Sequence, residues 1–578
     1  MTAPTPPTPD ASRWITELFS AQQAMLRAFG VEPAPAPQDA EAAPAPVSLL
    51  SAARTLSAWP AQALRQMAAF WPPAGSAAVT DHADRAGPAG THDRRFAAQA
   101  WRDDPRCELV VRHYQSYAAR LRDAIDEAPA DAQTKAQWQF ALRQVLDALS
   151  PANCLATNPE ALQLAVDSGG ASLVEGMRLF LQDLAKGRVS MADDQAFEVG
   201  RNVGITPGGV VFENALMQLI QYSPATDKVH QRPLLIVPPC INKFYILDLQ
   251  PENSFVAHAV AQGHTVFLMS WRNVSDAQGH LTWDDYLEQG VLRAIDAARE
   301  ITRADRVNTL GFCVGGTLLA CALAVAAARG EDKVASATLL TTMLDFHDTG
   351  EIGLLVNEAM VALREATIGR GGLLRGRELA HVFAALRAND LIWPYAVNSY
   401  LKGTAPPAFD LLSWNCDDTN LPGPMYCWYL RNAYLENRLR VPGGTVQCGE
   451  AVDFSRVRVP AFLYASHDDH IVPWGSAFAT TRLLGGPTTF VLGASGHIAG
   501  VVNPPARRKR HHWIGTPDSN AQRWLDGAER VEGSWWPAWS AWLGQHAGAQ
   551  TAAPRSLGSA AYSVTEPAPG RYVKEKAS

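Results

Sequence analysis

Excess basic charge is the first thing this chain lacks: 50 lysines and arginines stand against 57 aspartates and glutamates, for a formal charge of −7. A nucleic-acid groove needs a basic field to displace counterions from phosphates, so general nucleic-acid binding is excluded. Cysteine is sparse as well. The eight residues, at 107, 154, 240, 313, 321, 416, 427 and 448, include no CxxC pair. Neither a dense disulfide framework nor a thiolate metal cage is expected, and a reducing cytoplasm fits best. The opening MTAPTPPTPDASRW has no basic stretch leading into an apolar one, so no secretory signal is expected. One uncharged run, Leu310 to Ala328, is long enough to cross a bilayer. It begins inside a strand-like segment and a Gly-rich turn before becoming Ala-rich, which describes a strand and a buried helix better than a transmembrane segment.

What is present is a large stock of core-forming residues. With 578 residues, 47% apolar and 19% charged, the chain exceeds one ordinary domain. Residues 1–47 are rich in Pro and Ala, a composition that favours extended, partly disordered chain. Within them Trp14, Ile15, Leu18, Phe19, Met25, Leu26 and Phe29 fall roughly on one helical face, which needs somewhere to dock. After a Gly/Pro/Ala-rich break near 72–90, the stretch from Phe96 to about Lys186 has helical periodicity, so residues 1–195 are expected to form a mostly helical N-terminal domain.

From 196 to 578 the period changes. PLLIVPP (233–239), HTVFLMSW (264–271), RVNTL (306–310), SATLLTTML (336–344), AFLYASH (461–467) and TTFVLG (488–493) read as short strands with helical patterns between several of them. That alternation predicts a largely parallel sheet covered on both faces. Ordinary connections span about 2–6 residues. The long gap at about 347–457, rich in aromatics including the run MYCWYL at 425–430, therefore predicts an inserted lid.

The chemistry gathers around Gly311-Phe312-Cys313-Val314-Gly315-Gly316, which lies between a strand and a helix. This is the context of a nucleophile elbow, with sulfur in place of the usual serine oxygen. A lone buried cysteine is ordinarily inert filling; the strand-turn-helix setting is what argues for Cys313 as nucleophile. In an α/β-hydrolase fold the acid and then the base follow the nucleophile in the chain. Asp469, with Asp468 as competitor, follows the strand AFLYASH, and His497 lies in the loop GASGHIAG after TTFVLG. An oxyanion hole would take the N–H of Val314 and a second from the turn Pro238–Asn242, where Ile241 or Cys240 is the donor. Cys240 lacks an elbow and is not read as a second nucleophile.

The motifs VPPCINKFYILDLQPE, GHTVFLMSWRN, LGFCVGG, LLSWNCDDTNLPGPMYCWYLRN, DHIVPW and LGASGHIAGVVNPP closely resemble class I polyhydroxyalkanoate synthases, over most of the chain from about Phe197 onward. The resemblance implies an acyltransferase that polymerises short-chain (R)-3-hydroxyacyl-CoA, with 3-hydroxybutyryl-CoA the expected substrate. It places the nucleophile on Cys313, the aspartate on Asp469 and the base on His497, and puts His470 in the site; Cys240, by its nearness to the oxyanion turn, is expected to bind substrate as well. It further implies no cofactor beyond the CoA that is released, a homodimer, and a cytoplasmic protein on the surface of polymer granules with granule-associated partners. A hydrolase, thioesterase or depolymerase, is the rival enzyme, and a granule scaffold the non-catalytic one. Two features are left as structural: the basic cluster Arg507–His512 as solvated surface, and Trp535, Trp539 and Trp542, spaced as on one helical face, as core.

Overall fold

The computed structural model describes residues 93–577; the Pro/Ala-rich segment and the Trp14–Phe29 stripe lie outside them. The chain forms two compact units, one running to Met177 and including Tyr400–Gly403, the other comprising Arg178–Ser399 and Thr404–Ser578.

The first unit is helical: α1 (Pro105–Glu127), α2 (Ala132–Ala148), α3 (Pro159–Asp167) and the start of α4 (Ala171–Lys186). Each of the first three begins where a short polar side chain accepts an otherwise orphaned backbone N–H. Asp104 accepts from Arg106, Asp131 from Thr134 and Asn158 from Ala161, and Pro105 and Pro159 stand at first helical positions, where no donor is needed. Phe96 meets Trp101 edge to face at 5.0 Å, and Ala118, Leu142 and Leu146 form a second apolar cluster.

The second unit is built on an eleven-stranded sheet. Its strands are β1 (Gly208–Glu213), β2 (Met217–Tyr222), β3 (Leu234–Val237), β4 (Val266–Trp271), β5 (Val307–Phe312), β6 (Val334–Leu340), β7 (Ala461–Ser466), β8 (Thr488–Gly493), β9 (His511–Gly515), β10 (Glu529–Glu532) and β11 (Glu566–Pro567). They lie in the order β10-β9-β8-β7-β6-β5-β3-β4-β2-β1-β11. From β8 to β4 all neighbours are parallel, and the strands outside them are antiparallel. Alternate residues feed opposite faces, as the pleat requires. Leu235, Phe267, Leu339 and Leu463 enter one core, while Ile236, Leu268, Leu340 and Phe462 enter the other.

The six runs read from the sequence are the six parallel strands. The antiparallel flanks were not legible, because polar residues interrupt their pattern. In β2, Gln218 and Gln221 are buried yet satisfied: Gln218 donates to Glu213 and Glu566, and Gln221 accepts from the N–H of Gly558. The basic cluster needs a correction of the same kind. Arg507–Arg510 are exposed, but His512 is buried within β9.

Helices α5 (Arg293–Thr302) and α6 (Val314–Ala328) pack against the sheet, and the uncharged run of the sequence is β5 leading into α6. No described helix is long and apolar enough to cross a membrane. The insertion between β6 and β7 carries α7 (Glu358–Ile368), α8 (Gly423–Tyr429) and a π-helical turn, Leu430–Leu435. After β8 come α9 (His497–Val501) and α10 (Trp536–Gly544).

Trp535 and Trp539 are fully buried and Trp542 partly so, all in the core. The Trp539 ring lies 4.6 Å from that of Phe255, and its Nε1 donates to Thr338 Oγ1 at 3.1 Å. Trp539→Ala should therefore cost about 3–5 kcal/mol. Urea denaturation of the purified variant measures this, and a loss under about 1 kcal/mol would contradict the packing described.

Candidate functional site

Cys313 is the junction between β5 and α6, and its backbone sits at φ 54°, ψ −128°, a region that non-glycine residues rarely occupy. The turn is over-determined by its surroundings. The Cys313 N–H donates to Leu340 O at 2.9 Å, and its carbonyl accepts from Thr342 Oγ1 at 3.2 Å. Glycine is required beside it for lack of room: a Cβ at Gly311 would lie 2.5 Å from Gly316 Cα, and one at Gly315 would lie 2.4 Å from Val237 O.

His497 opens α9, and its Nδ1 donates to Asp469 Oδ2 at 2.6 Å. The other carboxylate oxygen of Asp469 accepts from the N–H groups of Ile471 and Val472, both at 2.9 Å. With Nδ1 committed, Nε2 is the nitrogen left for Cys313, whose charge acts on the imidazole. Burial disfavours the imidazolium, but the charges of Asp469 and of a Cys313 thiolate outweigh it, so the His497 pKa is raised. Phe312 stacks on the imidazole with centroids 5.7 Å apart. Sequence reasoning missed that contact; the only signal was an aromatic residue immediately before Cys313.

The two aspartates left open by the sequence have separate fates. Asp469 has a side chain 0% exposed, whereas that of Asp468 is 67% exposed and accepts from His467 at 2.8 Å. The structure brings Asp469 to His497 and leaves Asp468 at the surface.

Val314 is the first residue of α6, so its N–H has no acceptor within the helix. The turn bearing Cys240 and Ile241 follows β3, next to β5 in the sheet. Three contacts hold this turn: Trp271 Nε1 donates to Pro238 O at 2.9 Å, Trp414 Nε1 to Lys243 O at 2.7 Å, and Lys243 Nζ to Glu575 O at 2.6 Å. Cys240 is buried, and burial together with the charge of the Cys313 thiolate pushes its thiol up to about 12. It stays protonated and unreactive at neutral pH. His470 is partly buried with no hydrogen-bond partner at Nδ1, and burial lowers its pKa, leaving a neutral ring beside Asp469.

The insertion adds residues that the sequence did not single out. Phe346, Tyr429 and Tyr434 form an aromatic cluster with ring centroids 5.0–5.8 Å apart. Tyr429 lies in a run recognised as lid, but the π-helical turn that pairs it with Tyr434 leaves no mark in the residue pattern. Among the described residues, no group of three or more His, Cys, Asp or Glu side chains could hold a metal ion. The arrangement of thiol, imidazole and carboxylate suits acyl transfer through a covalent intermediate.

Comparison with known proteins identifies the family of the chain. The family described as "Poly-beta-hydroxybutyrate polymerase (PhaC) N-terminus" matches residues 92–259, and the alpha/beta hydrolase fold matches residues 233–504. The chain is 55% identical over 521 residues to the poly(3-hydroxyalkanoate) polymerase subunit PhaC of Cupriavidus necator, covering 89% of this chain and 87% of that protein. It is 42% identical to the PhaC subunit of Rhizobium meliloti, over 84% of this chain and 80% of that one. Among solved structures it is similar to a monoacylglycerol lipase of Paleococcus ferrophilus, with 14% identity, a TM-score of 0.32, and coverage of 49% of this chain and 90% of the lipase. The chain thus belongs to the poly(3-hydroxyalkanoate) polymerases, acyltransferases of the α/β-hydrolase fold with a helical region before the sheet.

Proposed function

We propose that this protein polymerises (R)-3-hydroxyacyl-CoA, with 3-hydroxybutyryl-CoA preferred, through an acyl-thioester on Cys313. The observation that carries the reading is the Asp469–His497 pair, buried and joined at 2.6 Å, with the free side of the imidazole in reach of the thiol. In the first half-reaction His497 takes the thiol proton, sulfur attacks the CoA thioester, and CoA leaves as the thiol. The exchange of one thioester for another is nearly level in free energy. In the second, the 3-hydroxyl of another unit attacks the acyl group on Cys313, His497 takes the hydroxyl proton, and the thiol is restored as an oxoester forms. Making an oxoester from a thioester is downhill, so elongation needs neither nucleotide, metal nor organic cofactor.

Asp469 acts in this scheme by orienting His497 and stabilising its charge. Both its oxygens are occupied, one by the imidazole and one by two backbone N–H groups, and that leaves it poorly placed to activate a hydroxyl itself. The N–H of Val314 and one from the Cys240–Ile241 turn would receive the developing oxyanion, and His470 would line the substrate pocket. As the relatives' names imply a growing polymer, the working location is the surface of a cytoplasmic polymer granule, with granule-associated partners and a homodimeric protein.

Replacing His497 by Ala removes the base, a change that typically costs about 10²–10⁴-fold. Supplied with 3-hydroxybutyryl-CoA, folded His497→Ala protein should release CoA at least about a hundredfold more slowly, and near-normal release would refute the assignment. In the wild-type protein CoA release should match polymer formed; stoichiometric free 3-hydroxybutyrate would mark a hydrolase instead. A higher kcat/KM for 3-hydroxybutyryl-CoA than for 3-hydroxydecanoyl-CoA is expected, and the opposite order would overturn the short-chain reading.

Cys313→Ser tests the choice of sulfur. A thiol ionises near pH 8.5, within reach of a neighbouring imidazole, whereas a serine hydroxyl is far less acidic. Once acylated, serine holds the chain as an oxoester and gains little by passing it on. The variant should polymerise very slowly and retain acyl groups on residue 313, visible by mass spectrometry of the intact protein; wild-type polymerisation by Cys313→Ser would sink the argument.

A further inference from the structure

Lys243 is a buried cation that the proposed chemistry leaves unused. It follows Ile241 by two residues, is 3% exposed, and its Nζ donates to the Glu575 carbonyl at 2.6 Å. Burial lowers its pKa to about 8, opposed chiefly by the negative charge of Asp417. An apolar side chain of similar volume would occupy the same space without the cost of desolvating an ammonium. What lysine supplies and an apolar residue does not is a donor aimed at one particular carbonyl.

That carbonyl is itself held in place. Three residues earlier, the Tyr572 N–H donates to Gln218 Oε1 at 3.1 Å and its hydroxyl to Asn214 O at 2.9 Å. The Arg272 guanidinium lies over the Tyr572 ring, 4.9 Å from its centre, and faces the Glu575 carboxylate at 3.7 Å. One residue later, Lys576 pairs at 2.9 Å with the buried Asp417, whose other oxygen accepts from the Tyr245 hydroxyl at 3.1 Å. The backbones of Asn242 and Asp418 pair as an antiparallel bridge. Upstream of these residues, Trp271 holds the carbonyl of Pro238. Cys240 and Ile241 thus lie between two clamps, and the downstream one is Lys243, bound at its carbonyl by Trp414 and at its Nζ by Glu575.

We propose that Lys243 is a positioning residue for acylation: docked on the Glu575 carbonyl, it holds the Cys240–Ile241 turn where an N–H meets the developing oxyanion. The inference rests on the polymerase reading and on that turn as the source of the second oxyanion donor. Such a donor stabilises charge that develops only in the transition state, and losing it costs about 10²–10³-fold in kcat. A turn that is loosened rather than removed should lose part of that factor, about tenfold or more. The uncharged carbonyl of the bound thioester gains little from the same donor, so the loss falls on kcat and not on KM.

The test measures CoA release against 3-hydroxybutyryl-CoA concentration for the wild-type protein, Lys243→Met, a chain ending at Lys574, and the two changes combined. Lys243→Met should lower kcat about tenfold or more, leave KM within about twofold, and melt no lower than the wild type, since it removes a buried charge. The chain ending at Lys574 keeps the Tyr572 anchor and loses the acceptor, so it should show the same fall in kcat. The combined variant should be little slower than either alone, as expected of two partners in one contact. Wild-type kcat in Lys243→Met, a raised KM with a lowered melting temperature, or additive losses in the combined variant would each overturn the proposal and leave the polymerase reading standing. Absence of CoA release by the wild-type protein would overturn the polymerase reading, and this one with it.

Discussion

The site depends on a strained backbone. Cys313 is held in a left-handed conformation that costs of order 1–3 kcal/mol, and only its surroundings keep it there. The hydrogen bond from its N–H to Leu340 ties the turn to the end of β6, and the absence of side chains at Gly311 and Gly315 lets α6 start directly against β5 and the end of β3. From this follow the position of the sulfur, the free N–H of Val314 beside it, and the location of Thr317 one turn further on. If that turn relaxed, all three would be lost together.

The other components of the site come from separate parts of the second unit, and each is fastened by contacts outside the chemistry. Asp469 is locked by the backbone of Ile471 and Val472, and His497 by Asp469 and the face of Phe312. The turn after β3 is held by Trp271 from β4, by Trp414 from the insertion and by the backbone of Glu575 near the chain's end. Fixing reacting groups through packed elements is how a protein keeps them close to reactive geometry. Trp414 of the insertion and Glu575 near the chain's end thus support the turn that follows β3.

What was legible in the sequence follows from what each element buries. The six parallel strands are apolar on both faces, so they stood out as short hydrophobic runs, and the elbow stood out because its glycines are required by sterics. β1, β2, β9 and β10 were hidden, since buried glutamines, a buried histidine and charged edge residues break the pattern that marks a strand. Asp468 and Asp469 could not be separated from sequence, because the choice is made by which side chain the turn after β7 directs inward. The pairing of Tyr434 with Tyr429 was invisible for a different reason: it depends on a π-turn, which no periodicity in the residues announces.

The boundary between water and chemistry at this site is one residue wide. Asp468 has a side chain 67% exposed and Asp469, its neighbour, one 0% exposed, so solvent reaches the edge of the turn that holds the acid. A polymerase that passes an acyl chain from sulfur to hydroxyl loses product whenever water arrives first. Burial of the carboxylate does not extend to Cys313, which is partly accessible and on the proposed mechanism would carry the thioester. On that mechanism its protection would fall to the insertion, whose Tyr429 and Tyr434 form an aromatic cluster with Phe346.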